Sequence, residues 1–175
     1  NKLKMDFTGA GISDKSISHL SNHISQTLPQ IQFLNFIFDN AKDIKKPVIS
    51  LDKLTNLIYF GYSTDHITSV ESPFLILEGL EKIKYQALSY INCSALTNPK
   101  IHLDNMKALE TEKFVISNWS AVRTAAFGLR NLGSLREATI ELVTLPSLQE
   151  VEILTADQES PFDLVLKLVD SLPLK

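Results

Sequence analysis

The sequence predicts an α/β solenoid. In such a stack each coil gives one strand to a parallel sheet on the concave side and a short helical segment to the convex side. Two observations carry the prediction. The first is the stretch "LEGLEKIKY" (77–85). Leu77, Leu80 and Ile83 fall every third residue, and Tyr85 follows two later, so a helical period passes into a strand period with no turn residue at the change. The second is its recurrence. "LDKLTNLIY" (51–59), "LDNMKALET" (103–111) and "LRNLGSLRE" (129–137) repeat the pattern in equal steps. Leu28, Leu54, Leu80, Met106 and Leu132 form one column, and Ile31, Leu57, Ile83, Leu109 and Leu135 form the next. Phe36, Tyr62, Leu88, Phe114 and Ile140 form a third. A fixed period of about 26 residues marks a repeat architecture. One coil cannot bury its apolar face, but a stack of coils can.

The elements follow in order. Met5 and Phe7 sit one step before Ile31 and Phe33, so the first strand lies near the start of the chain. Residues 12–28 form an amphipathic helix with Ile17, Leu20 and Ile24 on one stripe and Ser13 or Asp14 as its cap. Pro47 interrupts residues 39–51, which are expected to be short or irregular. Residues 63–80 are expected to be helical after Pro73. Residues 92–103, with Pro99, read as a turn and a brief helix. Residues 117–129 read as a helix capped by Ser117 or Asn118. Residues 159–172 give the clearest helix signal, with Ser160 as cap, Pro161 in the first turn, and Phe162, Val165, Leu166, Val169 and Leu172 as the stripe. The step from Leu132 to Leu145 is only half a period. Either that coil is shortened to a bare strand and turn, or a stretch is missing there.

Length and composition fit a single array over residues 1–175. Apolar residues make up 44% and charged residues 21%, an ordinary globular balance. No run of eighteen apolar residues occurs, so no membrane-spanning helix is expected. Leu-Pro recurs at 28–29, 145–146 and 172–173, and the first residue is Asn, so the chain is expected to be a fragment of a longer array. The net charge of −3 carries no basic footprint for nucleic acid. The single cysteine, Cys93, rules out an internal disulfide and is expected to be buried as a small apolar residue.

The residues resemble the leucine-rich repeat superfamily in its ribonuclease-inhibitor-like form. "LPQIQFLNFIF" and "LTNLIYFGYST" sit on the pattern L-x-x-L-x-L-x-x-N-x-L, and "GISDKSISHLSNHI" is similar to the connector of that class. The family's Asn or Cys is replaced by Phe36, Tyr62, Leu88, Phe114 and Ile140, so its usual side-chain ladder is expected to be absent there. Arrays of this kind resemble the repeats of cytoplasmic NOD-like receptors of innate immunity. The resemblance implies a protein-interaction module that binds a partner, or other domains of its own parent chain, through the concave sheet. The alternative it implies is the substrate-recognition repeats of an F-box ubiquitin ligase.

With Phe33, Tyr59 and Tyr85 read as inward, the outward rows hold Gln30/Gln32/Leu34, Asn56/Ile58/Phe60, Lys82/Lys84/Gln86 and Glu110/Glu112. Leu34, Ile58 and Phe60 then make an apolar patch on the concave face. Gln32, Lys82, Lys84, Glu110 and Glu112 surround it, an arrangement suited to a protein partner. The same register turns Thr111, Glu137 and Glu150 inward. A buried, unpaired Glu is costly, so the later strands are expected to shift towards Phe114/Ile116 and Ile140/Leu142. No enzyme activity, cofactor or metal is expected. His19 and His23 lie four apart on the first helix but lack a third ligand. Gly9 and Gly11 stand where a phosphate loop would, yet without its Lys or third Gly, and read as a corner needing positive φ.

Overall fold

The computed structural model describes residues 1–170 apart from 42, 68, 71–73, 78–79, 94 and 96–97, with only the backbone of 74–76. The chain is a parallel β-solenoid. One long sheet contains β1 (Lys2–Asp6), β2 (Phe33–Asp39), β4 (Tyr59–Asp65), β6 (Tyr85–Ile91), β8 (Thr111–Ser117), β10 (Glu137–Val143) and β12 (Asp163–Val169), in that spatial order. The return halves of the coils carry α1 (Asp14–Thr27), β3 (Val48–Ser50), β5 (Phe74–Ile76), β7 (Lys100–Asp104), β9 (Thr124–Arg130) and β11 (Glu150–Ala156). There β3 pairs with β5, and β7, β9 and β11 form a three-stranded sheet.

The three-residue spacing makes the corners. The amide of Leu54 donates to the Leu51 carbonyl, and that of Leu57 to the Leu54 carbonyl. Matching bonds join Ile83 to Leu80, Leu109 to Met106, Leu135 to Leu132 and Leu148 to Leu145. A turn closed from i+3 to i eclipses those two residues, so both side chains point inward. All the leucines named here are buried.

The triplet spacing runs one step further than the motif implies, and this corrects the strand register. Leu34, Phe36 and Phe38 face the core, as do Phe60, Tyr62 and Thr64, whereas Phe33 and Tyr59 face out. A shift of one residue moves every side chain to the other face. The column Phe36, Tyr62, Leu88, Phe114, Ile140 is interior, as its periodicity predicts. Thr111 and Glu137 face outward, and the strands stay in step through residue 169.

Among the described residues the helical expectations hold for one segment, α1. Ser13 caps α1 through its side chain, which accepts from the Ser16 amide. On its inner face the Ser21 and Ser25 hydroxyls accept from the Ser50 and Lys53 amides of the next coil. Of residues 159–172, expected as a helix, 163–169 form β12, where Leu164, Leu166 and Leu168 alternate inward, and 171–172 lie outside the described residues. A run this rich in leucine and valine satisfies both periods, and pairing with β10 selects the strand. Residues 117–129 become a corner followed by β9, and the segment 92–103, expected as a turn and brief helix, runs into β7 from Lys100, with 94, 96 and 97 outside the described residues. Residues 74–76 are strand; the rest of the helix expected after Pro73 falls partly outside the described residues.

The half-period at 132–145 is regular. From β8 onward the strands begin at 111, 124, 137, 150 and 163, one every half period, alternating between the two faces. Each strand ends at a residue with left-handed φ: Asn118, Asn131, Thr144, Asp157 and Asp170 follow the same half-period at φ 50–60°. Asn40, His66, Asn92 and Asn105 hold the same conformation in earlier coils. Asn and Asp tolerate it better than other chiral residues, which explains their recurrence. In the first coil Gly9 takes this place at φ 69°, donating its amide to the Asp39 carbonyl as Asn40 does to Asp65.

The core is one continuous cluster. Inside it an aromatic chain runs along the stack, from Phe7 through Phe38, Tyr62 and Tyr90 to Trp119, with neighbouring centroids 5.1–6.0 Å apart.

Candidate binding face

The first strand position along the long sheet projects outward and holds Lys2, Phe33, Tyr59, Tyr85, Thr111, Glu137 and Asp163, paired Cα to Cα. The middle of this column is aromatic because three successive coils place Phe or Tyr there. The Phe33 and Tyr59 rings stack at 6.3 Å, and the Lys2 ammonium lies 4.9 Å from the Phe33 ring centroid. Tyr85 is 43% exposed. Beside the aromatic column the floor is low, made by Asn35, Gly61, Ala87, Ser63 and Ser89. A Cβ on Gly61 would fall 2.9 Å from the Tyr59 hydroxyl and against the Asn35 carboxamide, so glycine lets the Tyr59 ring lie across the sheet.

The corner residue just before each strand forms a second row. The Ile58 amide donates to the Gln32 carbonyl, Lys84 to Ile58, Glu110 to Lys84 and Arg136 to Glu110. The structure therefore brings Gln32, Ile58, Lys84 and Glu110 together on adjacent coils. The Lys84 ammonium sits 2.6 Å from the Glu110 carboxylate, and that hydrogen bond holds Glu110 below the usual carboxylate range and Lys84 above the usual lysine range. Lys82, exposed one corner position earlier, donates to Asn56 at 2.7 Å.

Three of the proposed site residues are elsewhere. Leu34, Phe60 and Glu112 are fully buried in one interior column, so the apolar patch expected from Leu34, Ile58 and Phe60 does not exist on this face. Its physical counterpart is the aromatic column one residue earlier, Phe33, Tyr59 and Tyr85, with half-buried Ile58 alongside. The signal was present as aromatic residues one full period apart, but the motif assigned them to the core.

Glu112 adjoins Gln86 in that interior column, and neither side chain has a hydrogen-bond partner. Burial pushes the Glu112 carboxyl well above its usual range, only partly opposed by the nearby Lys113 amide. On the outer face the charges pair: Lys113 and Lys167 flank Glu141 at 3.2 and 2.8 Å. The hydrogen bond from Lys167, with that from Lys113, holds Glu141 below the usual range.

At the far ends of β2 and β4, Asp39, Asp65 and His66 bring their donor atoms within 4.8 Å of one another. His66 Nδ1 lies 2.7 Å from Asp65 and 3.8 Å from Asp39, and Asn92 donates to Asp65 at 2.7 Å. Two carboxylates and an imidazole could hold a divalent cation, and the imidazole nitrogen lies beside both carboxylates. The group joins two successive coils and was not found from the sequence. His19 and His23 are exposed on α1, and His102 covers Gly128 on the three-stranded sheet. Cys93 is buried, 3.3 Å from the Thr64 hydroxyl, and burial raises its thiol.

Comparison with family models, with curated proteins and with solved structures finds no match to this chain.

Proposed function

We propose that the chain is a protein-recognition array of the leucine-rich-repeat type. In this reading it is part of a larger cytoplasmic receptor of the NOD-like, innate-immune kind, and its long sheet holds a protein partner or other domains of the same parent. The observation that supports this is the outer aromatic column Phe33, Tyr59 and Tyr85 beside the Lys84–Glu110 pair. Stacked aromatic rings are rigid, amphipathic anchors, and a charged edge next to them is the usual plan of a protein-binding surface. The regular coil also gives the ladder spacing that lets a flat partner touch several coils at once.

The test is capture from lysate with three baits: the intact chain, Tyr59→Ser/Tyr85→Glu, and His102→Ala on the opposite sheet. Each must keep the circular dichroism of the intact chain. The reading requires a protein held by the intact chain and by His102→Ala and lost from the double variant. A partner held equally by all three places recognition away from the aromatic column and ends this proposal.

A further inference from the structure

We propose that Asp39, Asp65 and His66 bind a divalent transition-metal cation of the zinc or manganese kind, which clips the coil of β2 to the coil of β4. The regular coil itself brings the donors together. Asp39 and Asp65 end their strands in register, and His66 takes the corner position that follows. Their donor atoms all lie within 4.8 Å of one another, at the opposite end of the strands from the aromatic column. His66 Nδ1 is 2.7 Å from Asp65 and 3.8 Å from Asp39. A cation about 2.1 Å from each donor needs them roughly 3–3.5 Å apart, and these two distances straddle that spacing. The imidazole is exposed and both carboxylates are half-buried, so an ion can enter and keep water in its remaining positions.

The surroundings favour a cation at this place. Carboxylates facing each other across neighbouring strands repel. The same position in later strands holds Ile91, Ser117, Val143 and Val169 instead. The corner column of the long sheet otherwise holds Asn40, Asn92, Asn118, Thr144 and Asp170. Histidine stands in it at the coil where two successive strand ends are acidic, and its ring nitrogen reaches both. Each donor is also braced from behind. Asn92 donates to Asp65 at 2.7 Å and lies 3.3 Å from His66 Nε2, and Asn40 donates to Asp39 at 3.1 Å. Such outer partners fix the orientation of metal ligands. Two carboxylates with one imidazole suit zinc or manganese, whereas calcium and magnesium prefer shells of oxygen alone.

Calorimetric titration of the intact chain with zinc chloride at neutral pH tests this. The expected result is saturable uptake of one ion per chain, weaker for manganese and not displaced by an equal concentration of calcium. Zinc should also raise the thermal midpoint, because the folded corner alone assembles the three donors. Asp65→Asn and His66→Asn should each weaken uptake by roughly tenfold or more and abolish the thermal shift. Asn already fills this corner at Asn40 and Asn92, so His66→Asn should keep the circular dichroism of the intact chain. His19 and His23, exposed four apart on α1, are the competing source of zinc binding. His19→Gln/His23→Gln should leave uptake unchanged. No saturable uptake by the intact chain overturns the proposal. So does uptake lost with the helix variant, uptake undiminished in folded His66→Asn, or calcium displacing zinc at equal concentration.

Discussion

Gln86 and Glu112 face each other across β6 and β8 inside the core, and none of their terminal oxygens or nitrogens has a hydrogen-bond partner. The equivalent positions in neighbouring coils hold Phe60 and Ala138, both buried. A polar pair thus interrupts an otherwise apolar column.

Glu112 should make stability fall as pH rises. Its folded carboxyl titrates well above the ordinary glutamate value because burial disfavours the anion. Between the two values the unfolded chain has released this proton and the folded chain keeps it. The unfolded state then binds fewer protons, so the slope of unfolding free energy against pH is negative, up to ~1.4 kcal/mol per pH unit. The loss begins near 4.5, the ordinary value, and continues towards the raised folded value. Glu112→Leu should remove this component and add ~1–3 kcal/mol at neutral pH by deleting an unsatisfied buried group. Urea midpoints at pH 5 and pH 8 for both proteins check it. Parallel pH dependences would show that Glu112 is not buried as an acid.

The left-handed corner positions should tolerate only some residues. Thr144 sits at φ 53°, where a β-branched side chain is strained, while Asn131 occupies the equivalent site at φ 50°. Thr144→Asn should raise stability by ~1 kcal/mol, and Asn131→Val should lower it by ~1–2 kcal/mol. Thermal melts of the two variants provide the comparison. A destabilised Thr144→Asn would mean that Thr144 makes a compensating contact.

The coil and its period were legible because triplet corners put a large apolar residue at fixed positions, and evenly spaced columns such as Leu54/Leu80/Met106 survive substitution. The second face was not. A return strand such as β9, TAAFGLR, alternates too weakly to oppose a helical reading, and β12 satisfies both periods. The deciding information was the recurrence of Asn, Thr and Asp at every half period, from Asn92 and Asn105 through Thr144 to Asp170. That signal marks a left-handed corner only once both faces are seen as strands. The outer face of the long sheet was half legible. Gln32, Ile58, Lys84 and Glu110 lie on adjacent corners, because their position follows from the corner spacing. The apolar component was displaced by one residue, because the L-x-x-L-x-L motif assigns Phe33 and Tyr59 to the inside and thereby exports Leu34 and Phe60.

Trp119 should report the integrity of the central coils. It is the only tryptophan, fully buried, with its ring 6.0 Å from Tyr90 at the end of the interior aromatic chain. Its indole N–H has no hydrogen-bond partner. Native emission should therefore lie at short wavelength and move to long wavelength on unfolding. Trp119→Phe should cost less than a typical large-to-small core change of ~3–5 kcal/mol, because the unbonded N–H is lost as well. Fluorescence and urea titration give both numbers. Long-wavelength native emission would place the indole in water.

Stability should fall towards β12. In a stack of coils each strand is held mainly by its two neighbours, so a terminal strand has half the support of an inner one. Among the described residues β10 is the strand that pairs with β12, and Leu164, Leu166 and Leu168 stand partly in water, whereas β6 and β8 are paired on both edges above buried Leu88, Phe114 and Ile116. Opening β12 exposes little additional apolar surface, and opening β8 uncovers the core. Amide hydrogen exchange should therefore rank β12 fastest among the strands from β6 onward, β10 intermediate and β8 among the slowest, with differences of orders of magnitude between the extremes. Uniform exchange along the stack would mean that the coils open as one cooperative unit.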